Sequence, residues 1–118
     1  MRMFTLALAL VLTACAAPPP VQPPEPPAIP TTQSACVAAK GTWGAMGMRG
    51  LAGCSIPYAD AGKTCTDGDQ CRGDCRVTEP DQAMGDKPIT GQCQASSSPF
   101  GCFARVEDGR STGFLCVD

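Results

Sequence analysis

The chain has 118 residues, nine basic and eleven acidic, and no histidine. A net charge of −2 argues against a nucleic-acid surface or a polybasic grip on anionic lipid. The missing histidine excludes a Ser-His-Asp triad, a Cys-His pair and any histidine metal ligand.

Met1 to Ala14 has the form of an export signal. Arg2 supplies positive charge, and Phe4 to Leu12 is an apolar run interrupted only by Thr5. Such a run is too short for a permanent membrane helix, and its N-terminal position suits a removable segment. Removing it leaves eight basic against eleven acidic residues, a net charge of −3. The segment ends in Leu12-Thr13-Ala14-Cys15, an aliphatic residue and two small ones before a cysteine. This pattern resembles the lipobox of bacterial lipoproteins. The resemblance covers residues 1–15 and implies three events: diacylglyceryl transfer to the Cys15 thiol, cleavage before it, and acylation of the new amine. Several acyl chains make a stable anchor where one would not. The residues after the cysteine are Ala16 and Ala17 rather than aspartate. In that family this implies the outer membrane, on its periplasmic face or at the cell surface. The other reading is an ordinary secretory signal with a cysteine near its cleavage site.

From Pro18 to Pro30, eight of thirteen residues are proline. Proline lacks an amide donor and fixes φ, so the segment is expected to be an extended spacer of roughly 40 Å. It is read as a stalk, with a ligand for a proline-binding module as the alternative. The expected organisation is therefore a signal over 1–14, a lipidated N-terminus and stalk over 15–34, and one cysteine-rich domain over 35–118.

That domain holds the other eight cysteines, an even number in an exported chain, which points to four disulfides. The gaps between Cys36, Cys54, Cys65, Cys71, Cys75, Cys93, Cys102 and Cys116 are 17, 10, 5, 3, 17, 8 and 13 residues. No repeat emerges, and eight cysteines allow 105 pairings that spacing alone does not separate. Large apolar side chains are few, so a domain this small needs covalent staples. The expected core is Trp43, Leu51, Ile56, Tyr58, Phe100, Phe103, Val106, Phe114 and Leu115. The expected fold is small, disulfide-rich and built of short strands and hairpins with at most one short helix.

In chain order, Ser34 is expected to cap a helical turn over 35–40 closed by Gly41. Gly41 to Gly53 holds five glycines and reads as a loop or bulged strand pair, with Trp43 packed on cystines. A methionine-lined ligand groove there is the less favoured reading. Gly53 to Tyr58 reads as a strand broken by Pro57, and Asp60-Ala61-Gly62 as a turn. Glu79 to Pro88 is expected to be a surface loop and Thr90 to Ala95 a strand. Phe100 to Val106 and Phe114 to Val117 suit a hairpin turning at Glu107-Asp108-Gly109, which would let Cys102 face Cys116. A helix capped by Ser98 and started by Pro99 competes with that hairpin.

For chemistry, ten acidic residues between Asp60 and Asp118 leave a glycosidase-like carboxylate pair formally open. Most of them stand in glycine-containing turns, where a carboxylate bonds its own backbone, so no catalytic residue is assigned. No Cys-x-x-Cys pair supports zinc. Asp67-Gly68-Asp69 hints at a calcium loop, but its twelfth position is Thr78 and not glutamate. No metal and no cofactor is expected. Arg72-Gly73-Asp74, between Cys71 and Cys75, resembles integrin-binding loops and would sit on a tight turn if those cysteines paired. The favoured reading is a lipid-anchored binding module for another protein, with inhibition of a hydrolase as one form. Its expected contact loop contains Lys63, Asp67, Asp69, Arg72 and Asp74, with Glu79 to Pro88 as a second surface. A passive structural lipoprotein is the alternative.

Overall fold

A computed structural model describes residues 28–118. The signal segment, Cys15 and the stalk up to residue 27 lie outside the described residues. The described chain is small, β-rich and held by four disulfides, with two short helices where at most one was expected.

The first helix, α1, spans Gln33–Ala38. Its cap is Thr32, not Ser34: Thr32 Oγ1 accepts the Ala35 amide at 3.3 Å, the usual reach of a cap to the third helical residue. The helix ends in two bonds, Gly41 N–H to the Cys36 carbonyl and Lys40 N–H to the Val37 carbonyl. That pattern demands a left-handed residue at position 40, and Lys40 takes it with φ 59°. Gly41 is required for a different reason. A Cβ there would lie 2.8 Å from both sulfurs of the Cys36–Cys54 cystine and 2.6 Å from Ile56 Cδ1.

The glycine-rich stretch forms a hairpin of β1 (Thr42–Met46) and β2 (Leu51–Ser55), so the strand-pair alternative holds over the loop. Its four-residue connection, Gly47 to Gly50, uses glycines at φ +65° and +63° at its ends. In register, Trp43 faces Cys54 and Met46 faces Leu51. Strand β2 ends at Ser55, short of the expected Tyr58, and Pro57 makes only a single bridge to Ser96. Around that bridge the hairpin joins the rest of the domain. Ser55 Oγ meets Ser96 Oγ at 2.9 Å, Ile56 N–H donates to Ser97 Oγ, and Tyr58 N–H donates to the Ala95 carbonyl.

The second sheet has five strands in the order β3-β5-β4-β6-β7, every neighbouring pair antiparallel. They are β3 (Thr64–Cys65), β4 (Cys75–Val77), β5 (Gly91–Cys93), β6 (Gly101–Glu107) and β7 (Arg110–Val117). A 3-10 turn at Gly68–Gln70 precedes β4. The second helix, α2 (Pro80–Ala83), lies in the stretch expected to be a loop. Pro80 suits a first helical position, where no amide bond is lost, and the turn buries Ala83. Strands β6 and β7 form the expected hairpin and not the competing helix. Asp108 and Gly109 both take positive φ, as a two-residue hairpin turn requires.

The core differs from the expected aromatic one. Of the nine residues proposed for it, only Phe103 and Val106 are buried, while Leu51 and Leu115 are 62% and 45% exposed. The interior is instead Cys65, Cys75, Cys93, Val77, Ala83, Ala104 and Val106, with Cys71, Ile89 and Phe114 packed against them. Cystine sulfur occupies the space that large side chains fill in bigger domains. Leu115 stays outside because β7 is an edge strand with one face to solvent.

Candidate functional site

The disulfides are Cys36–Cys54, Cys65–Cys75, Cys71–Cys93 and Cys102–Cys116. Cys71 and Cys75 therefore serve different partners, and the bonds from them cross: residue 71 lies inside the 65–75 loop and residue 93 outside it. Arg72-Gly73-Asp74 is consequently not a small disulfide-closed turn.

Each member of that tripeptide has a local role. The Arg72 amide donates to Asp60 Oδ2 at 2.7 Å. A Cβ on Gly73 would lie 2.6 Å from Gln94 Oε1 and 2.7 Å from Tyr58 Cε2. Asp74 Oδ2 accepts from Arg76 at 2.8 Å and lies 3.2 Å from Arg105 Nε. Arg76 is largely covered and lies 3.6 Å above the Phe103 ring, so the carboxylate balances a cation held against an aromatic face. An Asp74 engaged by two arginines is poorly available to an outside cation or metal.

Asp67 is engaged as well. Its Oδ1 accepts the Asp69 amide and its Oδ2 accepts the Asp108 amide, both at 2.9 Å. These backbone hydrogen bonds, from Asp69 first and then Asp108, hold its carboxyl below the ordinary value of 3.8. The Asp108-Gly109 turn is clamped further, because Gly109 N–H donates to the Thr66 carbonyl and Ile89 N–H donates to the Gly109 carbonyl. Both oxygens that a calcium loop would need from Asp67 are thus on amides. Of the five expected contact residues, Lys63, Asp69 and Arg72 remain exposed, whereas Asp67 and Asp74 hold the fold together.

An apolar depression lies elsewhere, on the β1–β2 hairpin. Trp43, Met46, Ala52, Pro99 and Phe100 line one part of it, with Ile29 and Pro30 of the incoming chain along its wall. Met46 and Phe100 separate this part from a neighbouring hollow edged by Leu51, Arg49 and Asp118. Phe100 is held over the hairpin turn; a Cβ on Gly47 would lie 2.7 Å from its Cε1. Met48 and Leu51 beside the groove are 82% and 62% exposed. Of the two methionines in this stretch only Met46 lines the groove, so its wall is mainly Trp43, Pro99 and Phe100 and not methionine. Met46 was visible in the sequence; Pro99 and Phe100, about fifty residues away, were not linked to it by any local signal.

A second, polar depression is lined by Thr64, Arg76, Thr78, Glu79, Gln82 and Gln92. The only clusters of metal-ligating groups among the described residues consist of disulfide sulfurs, alone or with Asp60. No helix of the described residues is long and apolar enough to cross a membrane. No protein-family model, curated protein or solved structure matches this chain.

Proposed function

We propose that the protein is a lipid-anchored envelope protein whose cysteine-rich domain binds another protein through the groove of Trp43, Met46, Pro99 and Phe100. The observation that carries this reading is the groove itself. In a domain with so few large apolar residues, Trp43, Met46, Leu51 and Phe100 line one open surface instead of entering the core. Clustered apolar surface of this kind is characteristic of contact sites. Leu51 extends that surface into the neighbouring hollow, and the chain's own Ile29-Pro30 lies along its wall outside any helix or strand. An extended apolar segment of a partner is the occupant such a groove suits. The disulfide frame lowers the ordering cost of binding. The acylated Cys15 would hold the module at the outer membrane, and hydrolase inhibition remains one form the interaction could take.

The test is affinity capture from envelope extracts with the oxidised mature chain, beside Trp43→Ala and Phe100→Ser variants. A partner retained by the parent chain and lost from both variants supports the module. Equal capture by all three, or none by any, transfers the weight to a passive structural lipoprotein. The anchor is tested separately: the N-terminal peptide of membrane-extracted protein is expected to begin at Cys15 and carry acyl mass.

A further inference from the structure

Three of the four cystines have at least one almost completely buried half. Cys36 and Cys54 are 0% and 4% exposed, Cys65 and Cys75 are 2% and 1%, and Cys93 is 3%. Cys102 and Cys116 differ, for both are exposed. They stand directly opposite in the β6–β7 ladder with Cα atoms 3.9 Å apart. From this we infer that Cys102–Cys116 is a reversible thiol–disulfide exchange site, open to an external dithiol while the rest of the domain stays folded.

Access is the first requirement for exchange, because a thiolate must approach a sulfur from outside. Of the remaining cysteines, Cys71 alone is partly exposed. There the Asp60 carboxylate lies within 4.8 Å of both the Cys71 and Cys93 sulfurs, setting negative charge against an incoming thiolate. Cys71–Cys93 and Cys65–Cys75 also cross in sequence and build the core, so opening either disturbs the interior.

The hairpin around Cys102–Cys116 does not depend on its sulfurs. Phe103–Leu115 and Ala104–Phe114 pair beside the cystine, and Val106–Ser111 and Glu107–Arg110 pair farther along. The distal turn is clamped by Thr66, Asp67 and Ile89. After reduction the ladder would still hold both thiols side by side, which favours reoxidation to the same bond. In the forward step one thiolate of the dithiol attacks one sulfur, forming a mixed disulfide and releasing the other cysteine as thiolate. The second dithiol sulfur then displaces the first cysteine. Two electrons pass to the protein, the dithiol leaves as a cyclic disulfide, and both cysteine thiolates take up protons. Phe100 and Asp118, each two residues from one of these cysteines, edge the hollow beside Met46 and Leu51. The exchange site thus adjoins the apolar groove.

The experiment treats the oxidised full-length mature chain with limiting dithiothreitol under native conditions, quenches with iodoacetamide and maps labelled cysteines by mass spectrometry. Near-ultraviolet dichroism is followed in parallel. Cys102 and Cys116 are expected to be labelled first, about tenfold faster than any other pair, as exposure governs exchange. The dichroism of Trp43 and Tyr58 is expected to persist at that stage, and oxidised glutathione added before the quench is expected to re-form the disulfide and leave both cysteines unlabelled. Labelling of another pair first, simultaneous labelling of all eight, or loss of dichroism with the first two thiols overturns the inference.

Discussion

At the scale of single residues, acidic side chains in glycine turns act here as backbone acceptors. Asp67 joins two segments 41 residues apart by accepting the Asp69 and Asp108 amides on separate oxygens. Because folding favours its charged form, its contribution is fully present above the ordinary carboxylate range and is lost as pH falls through the lowered folded value. Asn at this position keeps one acceptor oxygen and replaces the other with a donor facing the Asp108 amide. Asp67→Asn is therefore expected to lower the melting temperature at neutral pH. The gap from the parent chain should close as pH falls below the ordinary carboxylate range and through the lowered folded value, where the parent side chain is neutral like that of the variant. A gap that stays constant over that range would show that the charge on Asp67 does not matter.

At the scale of elements, two positions separate backbone conformation from space. Lys40 occupies a left-handed site that closes α1, and its side chain is exposed. Lys40→Gly is expected to stabilise the domain by up to about 1 kcal/mol in urea unfolding, since glycine accepts that φ without steric cost. Gly91 is the opposite case. It is buried in β5, and a Cβ there would lie 2.8 Å from the Arg76 carbonyl oxygen and 3.0 Å from Cys75 Sγ. Neither backbone nor cystine yields easily, so Gly91→Ala is expected to cost about 1–3 kcal/mol in the same measurement. The helix near residue 35 and the β6–β7 hairpin were legible because their signals are local: a cap and glycine for the first, β-formers around Asp-Gly for the second. Helix α2 was missed because glycine and two prolines near it read as loop, whereas Pro80 starts the turn.

At the scale of the whole molecule, the disulfides stand in for a large core. Each is expected to contribute about 2–4 kcal/mol by restricting the unfolded chain, a sum comparable with the whole stability of a small domain. Complete reduction is accordingly expected to abolish the near-ultraviolet dichroism and the cooperative thermal transition. The loss should come with the core cystines and not with the exposed Cys102–Cys116 pair. A fully reduced chain that keeps its dichroism would show that Val77, Phe103, Ala104 and Val106 suffice without sulfur.

Read from the residues alone, the chain specifies a class: few large apolar side chains, eight cysteines after residue 35, turns at Asp-Gly and a proline-rich approach. These determine a small, stapled β-rich domain because composition limits how much surface can be buried. Pairing among the cysteines was decided only by tertiary structure, since spacing does not say which strands become neighbours. The same holds for the groove. Trp43 and Leu51 looked like core until the interlocked cystines filled the interior and left the hairpin's apolar residues on the surface. It holds again for Asp67 and Asp74, which resembled contact residues until the Asp108 amide and Arg105, both distant in sequence, joined the local Asp69 amide and Arg76 around them.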